Sequence, residues 1–134
     1  MSLVNVSEGA SLALHGMALI ARQQPQRLSV KYLAEKLHAS QAHLAKVFQK
    51  LSKAKLVKSV RGPTGGFQLN KPADQITFWD IFRVIDGDKE LGGCPFGKEY
   101  CAFHTCIFSK ELNRISQDIY ETFNKMKLSD FVGS

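Results

Sequence analysis

Residues 28–69 read LSVKYLAEKLHASQAHLAKVFQKLSKAKLVKSVRGPTGGFQL, and this stretch decides the fold. Ser29 is a helix-capping residue, and Val30, Leu33, Ala34 and Leu37 follow it at i, i+3, i+4 and i+7 spacing. Ser40 starts the pattern again, with Leu44, Val47, Phe48 and Leu51 as the second apolar stripe. Only His38 and Ala39 lie between Leu37 and the second cap. Two short amphipathic helices joined so tightly make a helix-turn-helix. The next run, LVKSVRGPTGGFQLN, has β-prone ends around a turn, and Gly65 and Gly66 there are free to take positive φ. GPTGG lacks the Gly-Lys-Ser/Thr ending and following helix of a phosphate-binding loop. A helix-turn-helix followed by a basic hairpin reads as a winged helix.

Working outward, residues 7–24 predict a first helix. Ala10, Ala13, Leu14, Met17, Ala18 and Ala21 form its stripe, and Pro25 ends it. Thr77 and Asp80 resemble a capping box opening a short helix through Ile85, stopped at Gly87, with Phe78, Trp79 and Phe82 as core candidates. A loop from about Asp88 to Thr105 follows. A long last helix is predicted from about Cys106 to Met126, with Phe108, Leu112, Ile115, Ile119, Phe123 and Met126 on one face. That stripe is longer than a small monomer needs, which predicts a partner helix from a second copy. The expected fold is mainly α with a small β-hairpin wing. Residues 1–87 would form the winged helix-turn-helix, 88–105 a cysteine loop, and 106–134 a dimerisation helix and tail.

Charge separates the same regions. Between residues 22 and 71 there are eleven basic residues and one acid, Glu35, whereas the remainder holds seven basic and eleven acidic residues. One half favours a polyanion and the other does not. The second helix of the helix-turn-helix should enter the DNA major groove by its N-terminus, presenting Ser40, Gln41, Ala42, His43 and Lys46. Gln41 suits adenine or a phosphate, His43 suits a base acceptor, and Ala42 is small enough for close approach. Lys50, Lys58, Arg61 and Thr64 are placed for phosphates or for the minor groove at the wing tip.

The three cysteines, Cys94, Cys101 and Cys106, fall within thirteen residues of the loop GGCPFGKEYCAFHTCIF. No CxxC occurs, which argues against a thiol oxidoreductase or a zinc-finger pair. Clustered reduced thiols suit an iron–sulfur cluster, of 2Fe–2S or 4Fe–4S type, with Glu8 or His104 as a fourth donor. A Cys₃His zinc site using His104 is the alternative. Nothing in the sequence points to an enzyme. The chain holds no apolar run near the ~18 residues of a membrane span, and its N-terminus MSLVNVSEGA lacks a basic, apolar leader, so a cytoplasmic location is expected.

Across nearly its whole length the chain resembles the Rrf-two family of bacterial winged-helix regulators. The carrying stretches are SEGASLALHGMALIA, the segment quoted first, ITFWDIFRVIDG, and the cysteine trio before a long helix; RGPTGGFQL is the most specific. The resemblance implies homodimers on pseudo-palindromic operators, usually acting as repressors. It also implies a cluster held by three cysteines and one other residue, sensing nitric oxide, redox state or cluster supply. IscR-like members carry a ligating histidine just after the third cysteine, and Ile107–Lys110 here has none. That favours the NsrR-like arrangement, in which an acidic residue near the N-terminus of the other subunit ligates, a position that Glu8 matches.

Overall fold

Helix α1 (Glu8–Arg22) begins where the Ser7 hydroxyl accepts from the Ala10 N–H, and Glu8 adds a favourable charge to its first turn. The computed structural model describes residues 6–87, 101–108 and 111–132. Helix α1 buries Ala10, Ala13, Met17, Ile20 and Ala21; Ile20 completes the sequence-predicted stripe, while Leu14 and Ala18 are only half-buried. Helix α2 (Val30–Leu37) and helix α3 (Gln41–Lys53) start at Ser29 and Ser40, whose hydroxyls accept from the Tyr32 and His43 N–H groups. Between the two helices, His38 takes the left-handed conformation at φ 52° and ψ 48°. One residue in that region reverses the chain, which is why so short a connection suffices.

After α3, Lys55 is also left-handed, at φ 63°, and the chain enters the hairpin of β1 (Val57–Val60) and β2 (Gly66–Leu69). The strands are antiparallel, with Val57 opposite Leu69 and Val60 opposite Gly66. Gly62 and Gly66 carry the positive φ values, 117° and 153°, so the expectation for Gly65 is corrected. Gly65 is needed for a different reason: a Cβ there would lie 2.2 Å from the Val60 carbonyl oxygen. Leu28 adds a short third rung, exchanging both backbone hydrogen bonds with Phe67, at 3.1 and 2.8 Å. Sequence patterning gave no sign of it, because a single bridging residue has no periodicity.

The predicted capping box is present at helix α4 (Phe78–Asp86). Asp80 accepts from the Thr77 N–H at 3.0 Å and Thr77 accepts from the Asp80 N–H at 3.1 Å. Helix α5 (Glu111–Lys125) is shorter than expected; residues 106–108 lie outside it, exposed. Cys, Ile and Phe are weaker helix formers than the Glu-Leu pair at 111–112, and Glu111 suits a first turn. Tyr120 and Phe123 meet Trp79 and Phe82 edge to face, with ring centroids 4.8 and 5.7 Å apart. Beyond α5 the chain turns back. Phe78 N–H donates to the Met126 carbonyl, Leu128 N–H donates to the Ile76 carbonyl, and Leu128 is fully buried in the same core as Ala13, Leu33, Leu44 and Phe48. The terminal turn, Leu128–Phe131, therefore packs with the winged helix.

Candidate nucleic-acid interface and cysteine loop

The apolar side of α3 is spent on the core, since Leu44, Val47, Phe48 and Leu51 are all buried. Its other side presents Gln41, Ala42, Lys46, Gln49, Lys50 and Lys53, every one exposed. Gln49 belongs to this row and the sequence reading missed it. It lies two helical turns beyond Ala42, a signal that the exposed face of the helix carried all along. No acidic residue interrupts the row, and Ser40 stands exposed at its start.

His43 is placed differently from the other candidates. It is half-buried, and its Nε2 lies 3.7 Å from the point a Cβ on Gly9 would occupy. The ring edge thus leans on the first turn of α1. Ile85 approaches the same point to 3.2 Å and Val47 to 3.8 Å. The starts of α1 and α3 and the end of α4 therefore meet at Gly9, where even a methyl group would press on Ile85.

The wing is held at a fixed distance from α3. Phe67 of β2 packs on Phe48 with centroids 5.0 Å apart, and Arg27 Nε donates to Gln68 Oε1 at 3.3 Å. Lys58, Arg61 and Thr64 are exposed along the hairpin and at its tip. Between the tip and the start of α2 runs a concave polar strip of about 610 Å³ lined by Arg27, Ser29, Tyr32 and Thr64 among others. A groove-sized helix, a basic hairpin beside it and hydroxyl and guanidinium donors between them match the requirements of duplex DNA. Such a duplex presents base edges in a groove one helix wide, walled by phosphates.

Cys101, His104 and Cys106 are all exposed, and both thiols are free. Cys94 lies outside the described residues, as do residues 88–100 generally. Among the described residues no three His, Cys, Asp or Glu side chains gather into a metal-binding group. The donors present nonetheless suit a thiophilic metal, because two accessible, unoxidised thiols flank an imidazole. Glu8 is exposed at the start of α1. Its neighbour Ser7 donates from its hydroxyl to Asp86 Oδ1 at 2.5 Å, in the last residue of α4 before the chain leaves for the cysteine segment. The start of α1 and the root of that segment are therefore joined within one subunit.

This arrangement defines a winged helix-turn-helix transcriptional regulator. The chain belongs to the Rrf2 family, whose profile, described as an iron-dependent transcriptional regulator, matches residues 6–134. It is 30% identical over 135 residues to the HTH-type transcriptional regulator IscR of Erwinia tasmaniensis, covering 100% of this chain and 80% of that one. It is 28% identical over 132 residues to the regulator NsrR of Oceanobacillus iheyensis, covering 96% and 90%. Its fold superposes on CymR, the global cysteine regulator of B. subtilis, with a TM-score of 0.79, 27% identity and 98% of each chain covered. These relatives are regulators and not enzymes. Among the described residues no helix is long and apolar enough to cross a membrane.

Proposed function

We propose that the protein is a cytoplasmic, homodimeric repressor of a pseudo-palindromic operator, switched by an iron–sulfur cluster on Cys94, Cys101 and Cys106, with Glu8 or His104 as fourth donor. The single observation that carries this reading is the tie between Ser7 and Asp86. It sets the root of the cysteine-bearing segment against α1, two residues before Gly9, where α1 meets the start of α3. A rearrangement of that segment would then be felt at the reading helix.

On DNA, Ser40, Gln41, Ala42 and Lys46 would line the groove-facing turn, with His43 at its margin against α1. Lys50, Lys58, Arg61 and Thr64 would hold phosphates or the minor groove. Residues 1–87 would act as the reading unit, 88–105 as the sensing segment and α5 as the dimerising arm. When bound, the cluster supplies iron that responds to nitric oxide, oxidants or iron–sulfur supply. The chain supplies the rest. Its thiolates and Glu8 or His104 hold the segment in one place, and the packing at Gly9 transmits that placement to α3. Taking the operator-competent form from about 1% to about 99% requires roughly 5.5 kcal/mol of differential stabilisation, a size that metal-coupled ordering can supply.

Anaerobic purification with iron and sulfide assays, absorption spectra and operator titrations before and after nitric oxide tests this reading. It predicts stoichiometric iron and sulfide and an operator affinity that changes on exposure. An iron-free protein holding its operator equally well in both conditions would refute it. His104, lying between two free thiols, favours a second reading in which zinc stabilises a regulator that answers to a partner protein or small molecule. Elemental analysis of the same sample separates the two.

A further inference from the structure

On the side of α1 near the end of α2 lies a cleft of about 510 Å³ that neither the DNA-reading face nor the cysteine segment explains. Its floor is the half-buried edge of α1, where Leu14, Ala18 and Leu19 face the end of α2 at Leu37. Its far wall is Phe78, Met126 and Phe131. That wall is fixed in place. Phe78 N–H donates to Met126 O at 2.9 Å, Leu128 N–H donates to Ile76 O at 3.0 Å, and Phe78 and Phe131 stack at 5.2 Å. The size falls in the range of about 300–1,000 Å³ typical of small-molecule sites.

Arg22 and Lys36 line the cleft beside His15, and among the described residues that line it none is acidic. The carboxylates on the segments that form the far wall are engaged locally, Asp80 by the Thr77 N–H and Asp130 by the Lys127 N–H. His15 Nδ1 lies 2.7 Å from the Ser11 carbonyl oxygen, which can only accept, so Nδ1 is the donor of that pair, and Nε2 meets an anion as a donor only when it too carries a proton. An apolar body would replace water over Leu14, Ala18 and Phe78. A single negative head would meet the cationic rim, where a neutral head would gain nothing.

We propose that this cleft is a binding site for a small amphipathic anion, a carboxylate or sulfonate carried on an aliphatic or aromatic body. The site draws its walls from both the helix-turn-helix and the segment that follows the arm, so an occupant touches both. It stands apart from the cysteine segment and does not depend on it.

The test uses the full-length protein with methyl-labelled Ala, Leu, Ile and Met, octanoate as probe and octan-1-ol as its neutral counterpart. Octanoate should saturably shift the methyl signals of Leu14, Ala18, Leu37 and Met126, binding at least about fivefold more tightly than octanol, in keeping with the modest strength of partly exposed charge pairs. The double variant H15L/K36M should lose that preference and keep its octanol affinity. Ala18→Phe should block both ligands, with the Leu44 and Leu51 signals confirming an intact core; should it unfold, the double variant still decides. Equal binding of octanol, shifts confined to Ile115 on α5, or no shift at all would overturn the proposal. So would shifts that follow protein concentration instead of octanoate, because they would give the cleft to a second copy.

Discussion

The reading head and the arm are built on opposite terms. Helices α1 to α3 each bury an apolar side, and fully buried Met17, Leu33, Leu44, Phe48 and Leu51 come from all three. Helix α5 has the same length as α1, yet none of its residues is fully buried. Ile115 is 46% exposed, and before the helix Phe103 and Ile107 are 61% and 70% exposed. The head satisfies its hydrophobic pattern within one chain. The arm and the residues before it carry a pattern that one chain leaves half met, consistent with a second subunit and with a ligand-holding loop. Apolar surface covered within the chain and apolar surface left exposed are thus divided between two parts of one small protein.

The sharpest way to break that contrast is inside the head. Phe48→Ala removes a fully buried ring that also supports Phe67, and should cost about 3–5 kcal/mol in chemical denaturation. A loss below 1 kcal/mol would mean that the head is not the self-sufficient half. In the arm, Ile115→Asp should leave unfolding of the monomer nearly unchanged. It should weaken self-association at least tenfold in sedimentation, the equivalent of burying one Ile side chain at roughly 1.5–3 kcal/mol. Unaltered association would move the dimer contact elsewhere.

Thr77→Ala breaks the capping box at the junction of the two regions and should lower stability by about 1 kcal/mol. Lys58→Ala and Arg61→Ala should each reduce the salt dependence of operator binding by about one counterion, measured as the slope of log affinity against log salt, without altering sequence preference. The smallest effect on stability is expected at the thiols. Cys101→Ser and Cys106→Ser, both at exposed positions, should shift the midpoint of metal-free protein by no more than about 0.5 kcal/mol. The same changes should abolish iron retention, so the two readouts together separate a structural thiol from a ligand.

Much of the head was legible because its signals are local. Ser29, Ser40 and Thr77 each cap a helix, the stripe of α3 buries all four residues its spacing singled out, and that of α2 buries Leu33 and Ala34 while Val30 and Leu37 stay half-buried. The basic face was legible too, since one acid among eleven basic residues leaves few other arrangements. The start of α5 was placed too early because an apolar stripe continues through Phe108 whether or not the backbone is helical. Gln49, exposed on α3 with Ala42 and Lys46, was left out of the sequence reading, and the lean of His43 toward α1 carried no local signal. Which way a ring turns depends on its neighbour, here the bare backbone of Gly9.

The sequence by itself determined the winged helix-turn-helix, the sign of its charge and the gathering of thiols, because caps, helical periodicity, composition and spacing act over a few residues. Only the tertiary structure decided that Leu128 returns to the core, that Leu28 pairs with Phe67, and that Ser7 holds Asp86 across 79 residues of chain. Each of those is a meeting of distant segments. Such contacts depend on the packing of whole helices, for which no short stretch of sequence holds a signal.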